Sequence, residues 1–178
     1  MKTSTLIFGS LGLLALAGCV SGAKSKSNAG APPTVLAVDL KRYTGTWYEI
    51  ARFPHSFEKG ASHVTANYLS QPDGTIKVVN RSMKDGKPDS IEGVATPVAG
   101  SNGAKLKVKF FTLLPSGNYW VLALDDKNYH WAMVGEGSRK YLWILSRTPQ
   151  MDRGVYEMLV NRARELGYDV SLLEKVEQ

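Results

Sequence analysis

Side chains able to do covalent or acid-base chemistry are few and scattered in this chain. Cys19 is the single cysteine, and His55, His63 and His130 are the three histidines. A thiolate nucleophile or a disulfide would have to use Cys19. That residue closes the run Leu16-Ala17-Gly18-Cys19, after a stretch with one early lysine and an apolar centre. The histidines lack metal-ligand spacing of the helical HExxH type, so structural or surface roles suit them best. There is no Gly-x-Ser-x-Gly elbow, no Walker loop and no dinucleotide fingerprint; Gly135-Glu136-Gly137 lacks the third glycine and reads as a hairpin turn. Glu49 and Asp126 are available carboxylates, yet neither has a local partner suited to general acid-base work. These residues argue against an enzyme and call for no cofactor or metal.

The N-terminus carries an address. Lys2 supplies a positive start, Leu6 to Leu16 an apolar segment, and Ala17-Gly18 the small residues of a cleavage point. Gly9, Ser10 and Gly12 interrupt the segment, which is too short for a membrane span. With Cys19 at its end it resembles a bacterial lipoprotein signal with a lipobox; an ordinary secretory signal with an incidental cysteine is the alternative. The resemblance implies cleavage before Cys19, diacylation of its sulfur and acylation of the new amine. Val20 stands where an Asp would suggest retention in the inner membrane, so the implied site is the bacterial outer membrane, with the periplasmic face favoured. The expected division is a signal peptide over 1–18, the lipidated Cys19 with a flexible linker to 33, and one folded domain over 34–178. As a coil, the linker VSGAKSKSNAGAPP spans roughly 20 Å. A lipidated chain keeps no thiol, so the domain must be held by its core alone. The formal charge of +6 falls to +5 without the signal, an excess that suits adhesion to anionic headgroups or simple solubility. No basic cluster is interleaved with stacking aromatics, and no nucleic-acid partner is expected.

The domain must position whatever binds. Short runs rich in Val, Ile, Thr, Tyr, Trp and Phe recur between turn signals, and predict strands near 47–53, 62–69, 75–82, 90–97, 104–112, 118–125, 129–135 and 140–147. Pro72-Asp73-Gly74, Asp85-Gly86, Ser101-Asn102-Gly103 and Asp126-Lys127-Asn128 supply turns between them. Residues 105–110 alternate, with Leu106, Val108 and Phe110 on one face and three lysines on the other. Residues 119–124 and 141–145 are apolar on both parities, so something must cover them outside. A helix capped by Asp152 and ended by Gly167 offers Val155, Met158, Leu159, Ala163 and Leu166 for that purpose. The reading is all-β: an eight-stranded antiparallel up-and-down barrel with one C-terminal helix packed outside. A filled β-sandwich is the alternative.

Gly45-Thr46-Trp47-Tyr48 at the first strand and Leu142-Trp143-Ile144-Leu145-Ser146-Arg147-Thr148-Pro149 at the last resemble the lipocalin family, in particular its bacterial outer-membrane lipoproteins. The resemblance spans 39 to about 175. It implies that Gly45, Trp47 and Arg147 form a barrel-closing motif, with the guanidinium stacked on the indole. Asp126 and Tyr129 fall in the connection that carries the family's second motif. Strand parity then proposes a ligand lining of Glu49, Ala51 and Phe53 from the first strand, Leu106, Val108 and Phe110 from the fifth, and Tyr141, Trp143 and Leu145 from the last. The same side chains could instead fill a packed interior. The implied function is a membrane-tethered lipid-binding protein that stores or transports a fatty acid such as palmitate, or a lysophospholipid, in the bacterial envelope. Its partners would be that ligand, the membrane reached through Cys19, and a second copy if it forms a homodimer. A lipid-modifying enzyme, or a tetrapyrrole-binding protein using a histidine such as His63, would be alternatives on the same barrel.

Overall fold

The computed structural model describes residues 30–111 and 115–178. Cys19, the signal segment and the linker through residue 29 lie outside the described residues. A short helix, α1 (Leu40–Tyr43), precedes β1 (Gly45–Arg52). Then come β2 (Ala61–Ser70), β3 (Ile76–Lys84), β4 (Lys87–Pro97), β5 (Lys105–Phe110), β6 (Gly117–Leu124), β7 (Trp131–Gly135) and β8 (Leu142–Ser146). Helix α2 (Arg153–Glu165) and a two-residue strand, β9 (Glu174–Lys175), complete the order. Each strand from β1 to β7 pairs antiparallel with the next, β1 also pairs with β8 to close an eight-stranded barrel, and β9 pairs with β1. Closure is what removes the exposed edges, and it excludes the sandwich.

The turns follow from local chemistry. Asp85 and Gly86 both have positive φ, 50° and 72°, and join β3 to β4 with Lys84 opposite Lys87, the two-residue hairpin that Asp-Gly favours. Asp73 accepts from the Thr75 amide and hydroxyl ahead of β3.

Two apolar clusters share the barrel wall. The inner one joins Trp47, Tyr68, Val78, Leu106, Val121 and Leu145, among others. The outer one sets Leu122, Met133, Leu142 and Ile144 against Leu159, Ala163 and Leu166. This explains the doubly apolar strands: one parity faces inward and the other lies beneath α2. Asp152 caps α2 by accepting from the Val155 amide, and Gly167, at φ 82°, ends it. Met158 departs from the expected face, being 45% exposed.

Bulges reset the alternation. Glu49 lies opposite Leu145, yet Ala51 lies opposite Ile144, so two steps on β1 match one on β8. Leu145 points inward and Ile144 outward. Ala51 and Phe53 are therefore not lining residues: both pack outside, in the cluster beneath α2. Arg52, opposite Trp143, takes the inward place instead.

Candidate functional site

The closed end is built from α1 and the ends of β1 and β8. Asp39 caps α1 by accepting from the Lys41 and Arg42 amides, and the Tyr43 carbonyl accepts from the Trp47 indole at 2.9 Å. The Arg147 guanidinium lies 3.9 Å from the centre of the Trp47 ring. It also donates to the carbonyls of Thr46 (2.9 Å), Arg42 (2.8 Å) and Tyr129 (3.2 Å). Gly45 is required twice over: its φ is 91°, and a Cβ there would sit 3.3 Å from Arg147 Nη1. The β6–β7 connection is fastened to the same end. Arg42 stacks on Tyr129 and donates to the carbonyls of Asp126 and Lys127. Asp126 contributes that carbonyl; the carboxylate that orders the turn belongs to Asp125, which accepts from the amides of Asn128 and His130.

Above Trp47 the interior is mainly apolar. Leu106, Val108 and Leu145 are buried in the inner cluster, with Phe110 and Trp143 packed against it. Ala66, Phe110, Tyr119 and Trp143 belong to this inner set yet keep part of their surface accessible. Tyr43, Tyr68 and Tyr119 bring their hydroxyls together on the floor.

One ion pair interrupts the apolar wall. Glu49 and Arg52 are 5% and 7% exposed, and Arg52 Nη1 donates to Glu49 Oε1 at 2.8 Å. Arg52 Nη2 donates to the carbonyls of Glu58 and Ala61. Burial, together with the nearby Glu58 carboxylate, pushes the Glu49 carboxyl up to about 8 against the pull of Arg52. Toward the open end, His55 stacks on Phe57 at 3.7 Å, and Tyr141 stacks on Trp143 at 5.8 Å. His55 Nε2 lies 3.0 Å from Glu58 Oε2, but off the hydrogen-bonding direction. Arg52, Phe57 and Glu58 were not singled out in the sequence, and His55 was read there as a structural or surface residue. Arg52 could have been found only by knowing of the bulge that turns it inward. His63 is exposed at a second bulge, on β2, with its ring on Ser62, and offers no inward-facing ligand to a tetrapyrrole.

A closed barrel, sealed at one end by an indole under a guanidinium and carrying few polar groups inside, can enclose an elongated apolar molecule. Comparison with known proteins agrees with this architecture. The family model for the lipocalin-like domain matches residues 38–178. Temperature-induced lipocalin-1 of Arabidopsis thaliana is 46% identical over 152 residues, covering 81% of each chain. Outer membrane lipoprotein Blc of Vibrio cholerae is 42% identical over 154 residues, covering 84% of this chain and 90% of the relative. Among solved structures, insecticyanin of the tobacco hornworm Manduca sexta superposes with a TM-score of 0.65 at 21% identity, covering 84% of this chain and 85% of that one. The chain belongs to the lipocalin family.

Proposed function

We propose that this lipocalin is a binding protein that takes the acyl chain of a fatty acid or lysophospholipid into its barrel, and stores or transports that lipid in the bacterial envelope. The observation that carries the reading is the accessible surface kept by inward-facing Ala66, Phe110, Tyr119 and Trp143 between the Trp47 floor and the aromatic mouth. Leu106, Val108 and Leu145 supply the apolar wall, and Tyr141 and Trp143 flank the entrance. The Glu49–Arg52 pair supplies the polar part of the wall near the headgroup of the guest.

Cys19 anchors the chain to the outer membrane in this reading, as the run before it and the relatives named outer membrane lipoproteins both suggest. The energetics suit a carrier. An acyl chain of about 16 carbons gains roughly 12 kcal/mol on leaving water, at about 0.8 kcal/mol per methylene. It gains nearly as much in a bilayer, so transfer between membrane and barrel is close to balanced and exchange stays reversible. The tether raises the local concentration of barrels at the membrane. In this reading the protein binds its guest without turning it over, and the buried Glu49 carboxyl engages Arg52.

Protein purified without detergent and extracted with organic solvent should release a fatty acid or lysophospholipid detectable by mass spectrometry. Repeated absence of lipid, together with no binding of added lysophospholipid to the extracted protein, overturns the proposal.

A further inference from the structure

Three phenol hydroxyls meet inside the barrel. The Tyr68 hydroxyl donates to Tyr119 Oη at 3.0 Å, and the hydroxyls of Tyr43 and Tyr119 lie 2.7 Å apart. Tyr43 reaches the group from α1, its ring 4.9 Å from that of Trp47; Tyr68 comes from β2 and Tyr119 from β6. The trio therefore roofs the sealed end. Three hydroxyls carry three protons, and the two bonds use two of them. The remaining O–H has no acceptor among the described residues.

Two arrangements of the protons are possible. If Tyr119 donated to Tyr43, the unused proton would sit on Tyr43, which is 1% exposed, and a buried donor would go unsatisfied. If Tyr43 donates to Tyr119, then Tyr119 accepts from both neighbours and its own O–H is left over. Tyr119 is the member of the trio with accessible surface, whereas Tyr43 and Tyr68 are buried. The second arrangement places the unused donor on Tyr119, the residue of the three that keeps accessible surface. Burial also raises the pKa of all three phenols, so they remain neutral donors.

We propose that the Tyr119 hydroxyl is a hydrogen-bond donor for an uncharged oxygen at the inner end of the bound molecule, so that the barrel prefers a lipid whose buried end is oxygenated over one ending in plain alkyl. This rests on the lipid-binding reading above and narrows its ligand class. The oxygen is uncharged because, among the described residues, the phenol trio brings one unused donor to the guest, too little to replace the hydration of a carboxylate. Arg147 lies against the Trp47 ring with its donors on three carbonyls, and Arg52 is held by Glu49 and the carbonyls of Glu58 and Ala61. A hydroxyl, ketone or ester oxygen takes one hydrogen bond without such a cost.

The test is a titration of the delipidated full chain with saturated fatty acids of graded length and their ω-hydroxy counterparts, for wild type, Tyr119→Phe and Tyr68→Phe. At the length that reaches the floor, the ω-hydroxy acid should bind wild type about tenfold more tightly than the plain acid. Tyr119→Phe should erase that advantage, so that the ω-hydroxy acid binds it no more tightly than the plain acid does. Tyr68→Phe should keep it, because Tyr119 retains its proton. An advantage absent at every length in wild type, or undiminished in Tyr119→Phe, overturns the proposal; the wild-type series decides it even if a variant fails to fold. If neither series binds wild type, the lipid-binding reading itself fails, and this proposal with it.

Discussion

Arg147 joins three segments through one planar group, stacking on Trp47 while donating to carbonyls of Arg42, Thr46 and Tyr129. Lysine cannot copy that fork. Arg147→Lys and Arg147→Met should therefore both lower stability by about 2–3 kcal/mol in chemical denaturation, from the lost cation–π contact and hydrogen bonds. A lysine variant as stable as wild type would contradict this assignment. Glu49 makes a prediction of opposite character. Its carboxyl is raised from 4.5 to about 8 on folding, so between those values the folded chain holds a proton that the unfolded chain has lost. Its contribution to stability is present below about 4.5 and is lost as the pH rises toward about 8. Denaturation midpoints of wild type should fall across that window relative to Glu49→Gln, and run parallel to it above. Single-residue chemistry was only partly legible in the sequence. Gly45, Trp47 and Arg147 could be named from their motif. Asp125 and Asp126 are adjacent and chemically identical, and only the path of the turn shows that Asp125 does the bonding. Asp125→Ala should cost more stability than Asp126→Ala, a comparison that thermal melts can make.

At the scale of elements, the strands and the covering helix were readable because their signals are local. Asp85-Gly86 fixes a hairpin by backbone preference, and Lys105 to Phe110 alternate without interruption. Phase along β1 was not readable. The extra residue near Ile50 has no compositional mark, since Glu49, Ile50 and Ala51 fit a regular strand equally well; the bulge emerges only from pairing with β8. It moves Ala51 and Phe53 beneath α2 and brings Arg52 inside. Helix α2 shows the same limit more mildly, because helical spacing nominated both Met158 and Leu159 and packing buries the latter alone. Leu159→Ala should destabilise by about 2–5 kcal/mol through lost burial and a cavity. Met158→Ala should stay within about 0.5 kcal/mol of wild type. Equal effects in urea denaturation would contradict the packing described for α2.

For the molecule as a whole, closure is the consequential property, and no local pattern in the sequence encodes all of it. β1 pairs with β2 over residues 45–48, and beyond that point the chain's last residues take over. Lys175 and Glu174 pair with Ala51 and Arg52, Val176 donates to the Ile50 carbonyl, and the Gln178 side chain donates to the carbonyls of Glu49 and Val64. These contacts cover the seam beside Glu49 and Arg52, so the tail helps to position the polar part of the interior. Whether the enclosed space takes a lipid is best decided by saturable binding of lysophospholipid to the delipidated full chain, with Ala66→Trp blocking the interior and Lys107→Trp as an outward control. One-to-one binding to wild type and Lys107→Trp, abolished in Ala66→Trp, is the predicted result. No saturable binding to wild type, or unchanged affinity in a folded Ala66→Trp protein, would contradict it.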